Sequence, residues 1–183
     1  MRITSGKFKS RIIKSPRAIR PTLDNVRKAI FDILGRDLRG AKVLDLFAGS
    51  GALGLEALSR GANSCVFVDN SRSSTEAIKD NLETLDLSSS KDVIVVASDA
   101  AKAITKLSKS GDKFDLVFLD PPYYGFWVKK TLFLLGSYDI LTKSSVVIAE
   151  HSKHDEVPSV VGELKLYRTV RYGDTCISFY RKG

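Results

Sequence analysis

The feature that most limits the fold is the alternation of short apolar runs with helical periodicity from residue 42 onward. Strand-like runs over residues 42–47, 64–68, 92–97, 114–119 and 144–149 alternate with helical patterns over 52–60, 71–85, 100–108 and 129–135. Several of the runs are apolar at consecutive positions, which a strand buried on both faces requires. Strand–helix–strand units place their strands in parallel, so the five runs form a parallel sheet covered by helices on both faces. The end of the chain breaks the pattern. Residues 165–170 and 175–180 are strand-like and are joined by Arg171-Tyr172-Gly173-Asp174, which leaves no room for a helix. That connection makes a hairpin, so the sheet ends in antiparallel strands.

Charge divides the chain of 183 residues unevenly. The first 40 residues hold 11 basic and three acidic side chains, and the net charge of +8 is therefore all in this segment. Residues 1–14 alternate weakly through Ile3, Phe8, Ile12 and Ile13 around Ser5-Gly6-Lys7 and read as a short hairpin. Residues 15–21 contain Pro16 and Pro21 and read as a linker. Thr22 is placed to cap a helix in which Leu23, Val26, Ile30, Ile33 and Leu34 share a face, and Gly35 ends it. The expected organisation is a basic extension over 1–21 and a single α/β domain over 22–183.

A neutral body with a cationic arm suits a polyanion, because each phosphate contact adds attraction and counterion release. Lys7, Lys9, Arg11, Arg17, Arg20 and Arg27 are the candidate nucleic-acid contacts. A membrane partner is disfavoured: the arm lacks the aromatic and leucine face of an interfacial helix, and no apolar run approaches about 20 residues. Cys65 and Cys176 each sit in an apolar stretch, which excludes a disulfide scaffold and fits a reducing cytoplasm. Two thiols and two histidines argue against a zinc site. The chain is expected to be a monomer.

Gly49-Ser50-Gly51-Ala52-Leu53-Gly54 follows the first strand and opens a helix, with Asp69 ending the next strand. On that pattern alone a dinucleotide is a fair ligand, and with it a nicotinamide-dependent oxidoreductase. Asp45 weighs the other way. It lies four residues before Gly49, where a carboxylate would repel a pyrophosphate but would pair with the ammonium of a methionine moiety. Asp45-Leu46-Phe47-Ala48-Gly49-Ser50-Gly51 matches the first motif of S-adenosylmethionine-dependent methyltransferases. Asp69 and Asn70 then stand where the ribose hydroxyls would be held. Asp99 and Ala100 stand where the adenine amino group would be met, although Asp99 could equally be a helix cap.

Asp120-Pro121-Pro122-Tyr123 ends the fourth parallel strand, the ligand side of an open α/β sheet. An exocyclic base amine is a poor nucleophile because its lone pair is delocalised into the ring. The Asp120 carboxylate and the Pro121 carbonyl could accept its two N–H bonds and free the lone pair. Pro121 and Pro122 fix the local backbone, and Tyr123 offers a flat face for the base. A base within a helix must be splayed out or flipped to reach such a site. Neither cysteine neighbours these motifs, which argues against a thiol nucleophile. His151 and His154 read as surface-loop residues rather than catalytic bases. Phe126 and Trp127 read equally as a closing wall over the base or as anchors for the next helix.

The four-residue motif is shared by enzymes acting on adenine N6 and on guanine N2. The N-terminal third is more selective. Arg2-Ile3, Gly6 and Arg11, followed by Arg20-Pro21-Thr22, Asp24, Arg27, Ala29, Phe31, Ile33 and Leu34, resembles the RsmD-type family, whose members methylate guanine N2 in bacterial 16S ribosomal RNA. The closing Tyr172-Gly173-Asp174-Thr175 with Phe179-Tyr180 resembles it too. Ser10 departs from the family, standing where a glycine is common, and Asp32 stands where asparagine is usual. The resemblance implies a Rossmann-like class I methyltransferase sheet with a small basic N-terminal β-hairpin/helix extension. It implies S-adenosylmethionine as donor, S-adenosylhomocysteine as product, no metal, and an assembling small ribosomal subunit as substrate. Adenine-N6 methylation and a non-catalytic assembly role remain the other readings.

Overall fold

The computed structural model describes residues 1–16, 24–35, 37–122 and 126–183. The elements in chain order are α1 (Asp24–Leu34), β1 (Lys42–Leu46), α2 (Ala52–Ser59), β2 (Ser64–Asp69), α3 (Arg72–Thr84), β3 (Val93–Ala97), α4 (Ala100–Ser110), β4 (Phe114–Leu119), α5 (Trp127–Ser137), β5 (Leu141–Ser152), β6 (Val160–Val161), β7 (Leu164–Tyr172) and β8 (Thr175–Lys182). They form one eight-stranded sheet in the order β3-β2-β1-β4-β5-β8-β7-β6. Strands β1 to β5 are parallel; β8 inserts antiparallel beside β5, and β7 pairs antiparallel with β8. This is the mostly parallel sheet with a terminal hairpin that the sequence implies.

Two apolar clusters line the two faces. One joins Val26, Ile30 and Phe31 of α1 with α2, α3, Phe67, Phe118 and Phe179; Phe31 and Phe118 meet at 5.7 Å between ring centroids. The other packs Ile104 of α4 and Leu132 of α5 on Leu44, Leu46, Val117 and Leu119. Successive strand residues therefore serve opposite faces, as the pleat demands.

Three details differ from the sequence reading. Strand β3 is an edge, so Ile94 is 50% exposed rather than buried on both sides. Strand β5 runs to Ser152 instead of stopping near residue 149, because β8 continues to pair with it as far as Ser152 opposite Thr175. The short β6 carries too little pattern to be read from sequence; it pairs with the start of β7.

The N-terminal hairpin is reduced to one antiparallel bridge, Arg2 opposite Ile12, with the Ile3 amide donating to the Arg11 carbonyl at 3.0 Å. Its turn places Ser10 at φ +70°, a left-handed conformation that explains why glycine suits this position. The segment is not a free arm. Ile3, Phe8 and Ile13 join the first apolar cluster. Glu56 of α2 accepts from the Thr4 amide at 2.8 Å, the Thr4 hydroxyl at 2.6 Å and the Ser5 amide at 3.1 Å. Helix α1 is found as expected, but its proposed Thr22 cap lies outside the described residues.

Candidate active site

At the carboxyl ends of β1, β2 and β4, and reaching the end of β5, lies a cavity of about 570 Å³. Its lining includes Asp45, Phe47, Gly49, Ser50, Asp69, Asn70, Asp99, Ala100, Asp120, Pro121 and Pro122. The structure thus brings together in one cavity every described residue of the expected cofactor and reaction sites except Gly51, which lies just behind the wall. Gly51 precedes α2 at φ +77°, and a Cβ there would press on Phe67 and Ile78 at 3.2 and 3.3 Å. Gly54 is tighter still: an added Cβ would lie 2.3 Å from the Phe67 ring and 2.7 Å from Cys65 Sγ. The second and third glycines therefore let the start of α2 sit directly on β2.

Two carboxylates hold this turn. Asp45 Oδ2 accepts from the Gly54 amide at 2.9 Å, and Asp69 accepts from the Gly49 amide at 2.9 Å and the Ser71 amide at 2.8 Å. Phe47 sits between them at φ +60°, a conformation costly for a bulky residue and found mainly where function over-determines the backbone. Asp45 is 1% exposed. Burial pushes its carboxyl well above the usual carboxylate range, the Gly54 hydrogen bond opposes this, and the negative charges of Asp120 and Asp69 add to it. No Lys or Arg is among the described lining residues. A cavity of this composition suits a ligand that brings positive charge and disfavours a pyrophosphate.

Asp99 is a helix cap: its Oδ1 accepts from the Ala101 amide at 2.9 Å and the Lys102 amide at 3.4 Å, while the residue lines the cavity. Glu150, absent from the sequence reading, lies at the end of β5 in the same cavity and is 7% exposed. Leu119 pairs with Ala149, so Asp120 and Glu150 follow at the same level on adjacent strands. Only the strand register could have signalled this neighbour, since the two residues are far apart in sequence. Trp127 opens α5 and lines the cavity, whereas Phe126 is 88% exposed and so anchors nothing on the sheet. Tyr123 lies outside the described residues.

Two expectations need correction. Arg27 is not available to nucleic acid: it is fully buried, 3.7 Å from Glu56, with Nη2 donating to the Arg2 carbonyl. Its place in the helical pattern puts it on the inner face of α1, where it holds the N-terminal segment. His151 is not in a loop. It is buried in β5, with Nδ1 2.9 Å from the Ser152 carbonyl oxygen and Nε2 2.9 Å from Ser178 Oγ. Lys7, Lys9 and Arg11 are exposed as expected, and Arg17 and Arg20 lie outside the described residues.

Comparison with known proteins identifies the family and matches the fold. A family model described as conserved hypothetical protein 95 matches residues 1–181. The chain belongs to the RsmD-type family. Among its relatives, Bacillus subtilis YlbH, provisionally named an rRNA methyltransferase, is 40% identical over 184 residues, covering all of this chain and 99% of YlbH. The Escherichia coli ribosomal RNA small subunit methyltransferase D is 32% identical, covering all of this chain and 90% of its own length. The solved structure of Escherichia coli yhhF, provisionally titled a methyltransferase, superposes with a TM-score of 0.85 at 29% identity, over all of this chain and 97% of that one. The RsmD-type family thus covers the N-terminal segment as well as the sheet.

Proposed function

We propose that this RsmD-type protein transfers a methyl group from S-adenosylmethionine to the exocyclic N2 amine of a guanine in 16S ribosomal RNA, within an assembling small subunit. The observation that carries this reading is the placement of Asp120 in the same cavity as the Asp45 and glycine turn. Asp45 would meet the ammonium of the donor, Asp69 and Asn70 its ribose, and Asp99 with Ala100 its adenine. The donor supplies an electrophilic methyl sulfonium, so no metal is needed. Asp120 and the Pro121 carbonyl would accept from the two N–H bonds of the base amine and localise its lone pair on nitrogen. As the N–C bond forms, the methyl–sulfur bond breaks, S-adenosylhomocysteine leaves as the neutral thioether, and the proton that the methylated amine loses passes to Asp120 or to water. Holding the amine in line contributes much of the remaining acceleration.

Glu150 favours guanine over adenine. Beside the guanine N2 amine lies N1–H, a donor that a carboxylate accepts; beside the adenine N6 amine lies N1, an acceptor that a carboxylate repels. Lys7, Lys9 and Arg11 would hold the RNA from the N-terminal segment, with Arg17 and Arg20 continuing the basic run. The proposed domain division at residue 21 is a division of roles, since the first residues share the core of the body.

The test is Asp120→Ala. Methyl transfer to small subunits should fall at least about a hundredfold, consistent with loss of a positioned acid–base or acceptor group. Affinity for S-adenosylhomocysteine by calorimetry should change little. Unchanged turnover would refute the mechanism.

A further inference from the structure

The body of the chain is neutral overall, yet its cations are not evenly placed. Strand β7 carries Lys165, Arg168 and Arg171 among Tyr167 and Tyr172, all exposed. Strand register separates them. Cross-strand partners share a face, and Lys165 pairs with Arg181, Arg168 with Phe179, and Tyr172 with Thr175. Phe179 belongs to the apolar cluster under α1, α2 and α3, so Arg168 faces that side of the sheet. A bulge between Leu166 and Arg168 brings Tyr167 to the same side, where its ring meets Phe179 at 6.1 Å and the Arg181 guanidinium lies 4.8 Å above it. Arg171 points to the opposite face with its partner Cys176.

One face of β7 and β8 thus presents Lys165, Arg181, Tyr167, Arg168 and Tyr172 in a row. It spans about 23 Å at roughly 3.3 Å per residue. The row ends at Tyr172, whose partner Thr175 lines the cavity. The described helices leave it open: Tyr167 is 44% and Tyr172 36% exposed. Among the described ion pairs, none engages Lys165, Arg168 or Arg181. Cations that follow a backbone, interleaved with flat rings on which bases stack, are what single-stranded nucleic acid requires, and the shortest such sites hold about four nucleotides.

We propose that this face is a second RNA track, which holds the single-stranded ribosomal RNA flanking the base that enters the cavity. The proposal rests on the rRNA reading above. It places RNA contacts on both sides of the cavity mouth: the N-terminal segment packs on α2 and α3, while this track lies beyond β5 at the other end of the sheet.

The test compares the wild-type protein with the Lys165→Ala/Arg168→Ala/Arg181→Ala variant in binding to full-length 16S rRNA across a salt series. Three lost phosphate contacts at about 0.7 each should lower the log–log salt slope by about 2. KM for small subunits should rise at least tenfold, with kcat at saturation and S-adenosylhomocysteine affinity unchanged. Tyr167→Leu should weaken RNA binding about tenfold and leave the salt slope unchanged. A variant with wild-type affinity, slope and KM would overturn the track. Binding to rRNA is read independently of methyl transfer, so a wild-type protein that binds rRNA but transfers no methyl group would overturn the activity and leave the track standing.

Discussion

Replacing Asp45 with asparagine should move ligand affinity and fold stability in opposite directions. Asparagine is nearly isosteric, and its amide oxygen can still accept from the Gly54 N–H now bonded at 2.9 Å. What disappears is a buried negative charge. Burial and the charges of Asp120 and Asp69 hold the Asp45 carboxyl well above its ordinary range. The folded chain therefore binds this proton more tightly than the unfolded chain. Ionisation costs the ligand-free fold stability as pH rises from the ordinary carboxylate value through the raised one. Asp45→Asn removes that cost, so the melting temperature of the ligand-free protein should not fall, and should rise at pH values above the raised value. The ligand's ammonium, by contrast, loses a charge-assisted hydrogen bond worth about 1.5–3 kcal/mol, or roughly 10–150-fold in Kd. Calorimetric titration with S-adenosylhomocysteine checks this. In the wild type the affinity should also weaken as pH is lowered through the Asp45 titration, because a neutral carboxyl cannot pair with an ammonium. In the variant that pH dependence should vanish. Unchanged affinity in Asp45→Asn, with a melting temperature several degrees lower, would refute the assignment and make Asp45 purely structural.

Other perturbations separate packing from chemistry. Glu56→Ala would leave Arg27 and Arg60 as buried cations and remove the acceptor for Thr4 and Ser5; chemical denaturation should show a loss of about 3–5 kcal/mol. Ser10→Gly should raise stability by about 0.5–1 kcal/mol by relieving the left-handed backbone, measured the same way. Gly54→Ala should lower both melting temperature and cofactor affinity, because its methyl group would overlap the Phe67 ring and Cys65 sulfur and lift α2 from β2.

The fold was largely legible because its strands are short apolar runs separated by helical periodicity, and because a four-residue connection cannot hold a helix. The site was legible where chemistry is local: Asp45 with its glycines, and Asp120 with its prolines, are contiguous motifs whose convergence the parallel sheet guarantees. What escaped was tertiary. Arg27 reads as one more cation in a basic segment; its spacing, three residues before Ile30, sets it on the apolar face of α1, but only the packing against Glu56 shows what makes a buried cation tolerable there. His151 follows an apolar run that could have ended earlier; pairing with β8 extends the strand and buries the ring. Glu150 and the basic face of β7 depend on register between strands distant in sequence. Net charge summed along the chain conceals that face because the carboxylates that balance it lie elsewhere.

The most direct test of the central claim is methyl transfer from labelled S-adenosylmethionine to small ribosomal subunits purified from cells lacking this enzyme, followed by digestion of the RNA to nucleosides. Label in N2-methylguanosine is the predicted result and fixes donor, base and atom together. Label in N6-methyladenosine, or cofactor binding without label in subunits or free 16S rRNA, would contradict it.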